Sequence, residues 1–61
     1  MNYEKLRALR EAKGMTQQQL GEIALVPQPM LCRIEKGAQE PSIAALRRLA
    51  DALGVTAAEL I

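Results

Sequence analysis

The chain is predicted to be all-α, with five short helices packed into one domain. Three observations predict this. Apolar residues recur at helical spacing in successive segments. Three of the four glycines, Gly14, Gly37 and Gly54, stand where such a segment should stop. Side chains that cap helix starts, Thr16 with Gln19, Ser42, and Thr56 with Glu59, stand where segments should begin. No stretch reads as a strand, a repeat or a low-complexity linker.

In the first helix Leu6 and Leu9 share a face. The helix ends at Lys13-Gly14, a cation followed by glycine. Thr16 and Gln19 match a capping box, and Met15 with Leu20 matches the hydrophobic staple around it. The second helix is therefore expected to start near Gln17 and to bury Leu20, Ile23 and Ala24. Gly21 lies inside that helix, where glycine is about 1 kcal/mol worse than alanine. A close crossing with the next helix, leaving no room for a Cβ, is the expected reason. Pro27 and Pro29 forbid an unbroken helix through them but suit the first turn of a new one. A third helix is expected from about Gln28 to Lys36, stopping at Gly37, with Leu31 and Ile34 inward and Met30 partly covered. After a loop from Ala38 to Pro41, Ser42 caps a fourth helix. Its apolar set is Ile43, Leu46, Leu49, Ala50 and Leu53, and Gly54 ends it. Thr56 with Glu59 is a second capping box and Val55 with Leu60 a second staple, so a fifth helix is expected over about Ala57 to Ile61.

Bulk composition narrows the function. At 61 residues the chain makes one small domain, residues 1–61, of a size that folds alone only marginally. A single cysteine rules out an internal disulfide, and with no histidine a zinc site is not expected. No cofactor is implied. Stability must come from helix packing, for which 49% apolar residues suffice. The net charge of +1 does not by itself argue for nucleic acid. Charge distribution says more: Lys5, Arg7, Arg10 and Lys13 outnumber Glu4 and Glu11 in the first helix, and Arg33, Lys36, Arg47 and Arg48 follow. No apolar run is long enough to span a membrane, and the N-terminal segment lacks the apolar centre of a secretory signal. A cytoplasmic protein with no membrane partner is expected. No nucleophile–base set or phosphate-cradling glycine loop is present, so an enzyme is not expected.

The segment TQQQLGEIALVPQPMLCRIEKG, from Thr16 to Gly37, carries the most information. It reads as two short helices with a tight break, the second presenting a polar face. This is the sequence shape of a helix-turn-helix. Around it, LRALREAKGMTQQQL, LCRIEKG and EPSIAALRRLADALGV appear in an order and spacing that resemble the phage repressor and Cro type of helix-turn-helix, the Xre-like transcriptional regulators. The resemblance runs from about Leu6 to Leu60. It implies a five-helix, lambda-repressor-like domain that binds double-stranded DNA sequence-specifically, often as a homodimer on a palindromic operator, with the third helix in the major groove.

Carried over residue by residue, the resemblance places Gln28, Pro29, Cys32 and Arg33 at groove-facing positions. Thr16 and Gln17, at the start of the second helix, match phosphate contacts, and Lys36 and Gln39 match backbone contacts. Arg10 and Glu35 match a pair that forms a partly buried salt bridge in some relatives, tying the first helix to the third; the pair is expected to be architectural, with Arg10 also pointed toward a phosphate. Two departures stand out. Relatives usually have glycine at the left-handed turn position where this chain has Leu25, and leucine there is worse by roughly 1–2 kcal/mol. The second helix is therefore expected to run on slightly, with the turn shifted toward Val26-Pro27. Pro29 replaces a polar reader and offers only apolar contact, for instance to a thymine methyl.

Chemistry ranks the readers. A Gln28 amide can pair with adenine N6 and N7, and Arg33 can reach guanine O6 and N7 or a phosphate. Either side chain also fits a solvated helix face. Cys32 is expected to be a small packing residue at the edge of the interface, a redox switch being the alternative. Val55, Leu60 and Ile61 leave apolar surface that suits either the core or a two-fold contact. The leading function is a DNA-binding regulator, expected to act as a repressor. The alternative is a protein-interaction module, such as an antitoxin or adaptor, on the same fold. No small-molecule ligand is implied.

Overall fold

The computed structural model describes all 61 residues. It contains four α-helices, α1 (Tyr3–Ala12), α2 (Gln17–Ala24), α3 (Gln28–Glu35) and α4 (Ile43–Leu53), and no strand. The expected fifth helix is instead a 3₁₀ turn over Ala57–Leu60. Four residues are too few for an α-helical ladder, and the segment closes through short-range bonds such as Glu59 N–H to the Thr56 carbonyl at 3.1 Å.

Capping explains where each helix begins. The Asn2 side chain accepts from the Lys5 amide at 3.0 Å and opens α1. At α2, Thr16 Oγ1 accepts from Gln19 N–H at 3.1 Å while Gln19 Oε1 accepts from Thr16 N–H at 2.9 Å, a complete capping box. Ser42 Oγ accepts from the Ala45 amide at 3.1 Å and opens α4. Pro27 precedes α3, and Pro29 occupies its first turn, where a missing N–H leaves no helical bond unmade.

Eleven buried apolar residues form one core: Leu6 from α1, Leu20 and Ala24 from α2, Val26 from the turn, Leu31 and Ile34 from α3, Ala45, Leu49, Ala50 and Leu53 from α4, and Leu60. Two residues expected inside are outside. Ile23 is 61% exposed and Ile43 71% exposed. At about 100° per residue, Ile23 falls roughly 100° from the centre of the arc holding Leu20, Gly21 and Ala24. Ile43 lies on the flank of the α4 stripe, in its first turn. Leu60, one of the expected two-fold contacts, is fully buried and belongs to the core, whereas Val55 is half-buried and Ile61 exposed.

The break between α2 and α3 corrects a further expectation. Leu25 has φ 57° and ψ 42°, the left-handed conformation, so the helix does not run on and the turn does not shift. The Gly21 carbonyl accepts from both Leu25 N–H and Val26 N–H, ending α2 there. Val26 is driven into the core at 2% exposure, which fixes where the chain must reverse. Arg48 of α4 donates to the Ala24 carbonyl at 2.8 Å and the Leu25 carbonyl at 3.5 Å, satisfying the end of α2 with a cation. Gly21 is explained by the same turn. A Cβ there would clash with the Val26 carbonyl oxygen, so the close approach is to turn backbone, not to a neighbouring helix.

Candidate nucleic-acid interface

The turn sets α3 with one face inward and one outward. Leu31, Ile34 and Glu35 are buried. Gln28, Pro29, Arg33 and Lys36 are exposed and Cys32 is half-buried. The outward residues follow the i, i+1, i+4, i+5, i+8 spacing of one helix face. Thr16 is exposed and Gln17 half-buried at the start of α2, while Gln39 is half-buried in the loop after α3.

Charge on this face is lopsided for a structural reason. The only carboxylate in α3, Glu35, faces inward and meets Arg10 of α1. Arg10 Nε donates to Glu35 Oε2 at 2.7 Å and Nη2 to Oε1 at 2.9 Å, a fork-on-fork pair. Arg10 Nη1 donates to the Met15 carbonyl at 2.7 Å. All three guanidinium nitrogens therefore bond within the protein. Arg10 ties α1 to α3 and to the loop before α2, and is not turned outward to a phosphate. Hydrogen bonding to Glu35 raises the Arg10 pKa above its ordinary value, with burial opposing and the Glu35 charge reinforcing it. The stabilisation from this shift is fully present below the ordinary arginine pKa and is lost only above the raised one, so it is constant through neutral pH. With Glu35 neutralised inside, Arg33 and Lys36 stand on the outer face of α3 and its exit with no acidic neighbour on that helix face.

The two helices are joined by side chains as well as by the turn. Gln17 Nε2 donates to Glu35 Oε1 at 3.2 Å, and Gln28 Nε2 donates to Gln17 Oε1 at 2.9 Å. Arg33 Nε donates to Gln39 Oε1 at 2.8 Å, linking α3 to the loop beyond it. The first turn of α2 carries no acidic residue, so its free amides and dipole leave a positive end beside α3. Sequence reading named Arg10 and Glu35 as a pair, which the structure shows, and Gln17, Gln28, Arg33 and Gln39 separately. It missed the side-chain bonds among Gln17, Gln28 and Glu35, and that between Arg33 and Gln39. It also missed Arg48 as the cap of α2, because no local pattern reports a partner 24 residues away.

Comparison with known proteins agrees with this geometry. The helix-turn-helix family model matches residues 6–60. The chain is 33% identical over 58 residues to the HTH-type transcriptional regulator DdrOP3 of Deinococcus deserti, covering 95% of this chain and 45% of that protein. It is 40% identical over 53 residues to an uncharacterized HTH-type transcriptional regulator of Haemophilus influenzae, covering 87% and 54%. It is 38% identical over 53 residues to the uncharacterized HTH-type transcriptional regulator y4dJ of Sinorhizobium fredii, covering 87% and 69%. The chain thus spans about half the length of the first two relatives. No solved structure matches it. With a left-handed turn between two short helices, an outward polar face on the second, and a match over nearly its whole length, the chain belongs to the helix-turn-helix family of Xre/Cro-like regulators.

Proposed function

We propose that this domain binds double-stranded DNA sequence-specifically, with α3 in the major groove, and acts as a repressor by occupying an operator. The observation that carries this reading is the outward face of α3, polar and cationic because its one carboxylate is neutralised inside by Arg10. Gln28 and Arg33 are the base readers, with Pro29 and Cys32 giving short-range packing against the groove. Thr16 and Gln17 meet a phosphate at the start of α2, and Lys36 and Gln39 contact the backbone at the exit of α3. A single module of this size offers a small DNA interface, which favours a homodimer on a palindromic site, through the exposed Ile61 and the half-buried Val55. Half-sites would then lie about 34 Å apart.

The test is selection from a random duplex library near physiological salt, followed by binding of the enriched site with Gln28→Ala and Arg33→Ala. A base reader should lose about 1–3 kcal/mol and relax preference at one base pair, whereas a phosphate contact should weaken every sequence alike. A palindromic enriched site supports dimeric docking. A folded protein that enriches no sequence would overturn DNA recognition and favour protein interaction on the same fold.

A further inference from the structure

We propose that Gln39 is a positioning residue for Arg33: by holding the guanidinium through its Nε, it makes Arg33 a reader of guanine. This rests on the DNA-binding reading above and adds a specificity role for a loop residue that need not touch a base.

The backbone brings the two side chains together. Gly37 takes φ 76° just past α3. Its N–H donates to the Ile34 carbonyl at 3.0 Å, and Ala38 N–H donates to the Arg33 carbonyl at 2.9 Å. This pair of bonds folds the chain back over the last turn of the helix. The reversal is braced from α1 as well, where the Tyr3 ring lies so close to Gly37 that a Cβ there would meet it. Gln39 therefore returns beside Arg33 and is half-buried there.

The polarity of the contact is forced. A guanidinium has donors and no acceptor, so Gln39 must offer its oxygen. It does so, Oε1 accepting from Arg33 Nε at 2.8 Å. A guanidinium carries two forks of paired donors, one that includes Nε and one made by the two terminal nitrogens. Engaging Nε closes the first. Nη1 and Nη2 of Arg33 bond to nothing in the protein, so the terminal fork stays open. Gln39 Nε2 is turned away from Arg33 with both hydrogens unspent, ready for the backbone contact proposed for this residue. One amide thus holds the base reader with its oxygen and serves a phosphate with its nitrogen.

The open fork discriminates between bases. In the major groove guanine shows two acceptors, N7 and O6, whereas adenine shows one acceptor, N7, and one donor, N6. Two parallel N–H groups complement guanine and set one donor against another at adenine. An unheld arginine could swing to a phosphate and carry no preference. Holding Nε removes much of that freedom before DNA arrives, so less ordering is left to the binding step.

The experiment measures affinity for the enriched operator with G·C or A·T at the base pair whose preference Arg33→Ala abolishes. The wild-type chain should prefer guanine by roughly 5- to 150-fold, the span of a good bidentate contact. Gln39→Met keeps side-chain length and removes the acceptor, with folding checked by circular dichroism. Losing the backbone contact lowers affinity for both operators alike, so the informative readout is their ratio, which should shrink at least about threefold. Arg33→Lys keeps the charge but has no fork, and should lose the guanine preference. Adding Gln39→Met to Arg33→Lys should then leave the ratio unchanged, since no guanidinium remains to be held. An undiminished ratio in Gln39→Met, or an equal effect of Gln39→Met in the Arg33→Lys background, would overturn the inference while leaving DNA binding intact. So would an Arg33→Ala variant that weakens every sequence alike and reduces the salt slope by about 1, the mark of a phosphate contact. A wild-type chain that enriches no duplex would overturn the DNA reading itself.

Discussion

Replacing Leu25 by glycine and, separately, by alanine tests the turn directly. Both substitutions remove the same side chain, which is 73% exposed and therefore contributes little packing. Neither touches the Arg48 bonds, because Arg48 donates to backbone carbonyls. The two variants differ in one respect. At φ 57° a Cβ crowds the backbone, worse by roughly 1–2 kcal/mol for alanine, whereas glycine has no Cβ. Against that, glycine frees the unfolded chain by about 0.5–1 kcal/mol relative to alanine. Leu25→Gly should therefore be more stable than Leu25→Ala by about 0.5–1 kcal/mol. In a domain this small that separates the melting temperatures by about 2–8 °C. Were position 25 an ordinary helical residue, the order would reverse, with alanine ahead by about 0.5–1 kcal/mol. Thermal unfolding of the two proteins followed by circular dichroism at one concentration decides the sign. Leu25→Ala melting at or above Leu25→Gly would refute the left-handed turn and the account of where α2 ends.

Other substitutions report on other parts of the structure. Gly21→Ala improves helix propensity yet should destabilise by about 1–3 kcal/mol in urea unfolding, because its Cβ meets the Val26 carbonyl. Glu35→Ala strands Arg10 in the interior and should lower stability by about 3–5 kcal/mol. Glu11→Ala, which breaks the exposed Arg7–Glu11 pair at 3.6 Å, should change stability by at most about 0.5 kcal/mol, and equal losses at the two sites would count against a buried tie. Thr16→Ala removes the α2 cap and should cost about 0.5–2 kcal/mol by the same assay. Alkylating Cys32, half-buried on the outward side of α3, should reduce duplex affinity without lowering the melting temperature, measured on the enriched operator.

Most of the fold was legible in the sequence because its signals are local. Thr16 with Gln19, Ser42, and Thr56 with Glu59 announce helix starts within four residues of chain, and Gly14, Gly37 and Gly54 all take positive φ where helices end. The failures are non-local or concern direction. Ile23 and Ile43 have the right residue type but lie off the inward arc by a rotation that spacing alone does not set. Leu25 breaks its local preference because Val26, pulled into the core, and Arg48, arriving from α4, dictate the turn from outside. The same division runs through the candidate interface. Gln28 and Arg33 were visible as polar residues on one helix, but the Gln28–Gln17–Glu35 link joins positions 11 and 18 residues apart, which only the folded chain brings together.

The segregation of α3 into an inner set and an outer set bears on how readily such a domain could be given a new target. Exchanging Pro29, Cys32 or Arg33 alters a surface that contributes nothing to the main apolar core, so under the proposed function new sequence preferences would be transplanted there with small effects on folding. Gln28 is less freely interchangeable, since its substitute inherits the unspent acceptor of Gln17. Engineering this position therefore calls for exchanging residues 17 and 28 as a pair, on a scaffold whose interior can stay as it is.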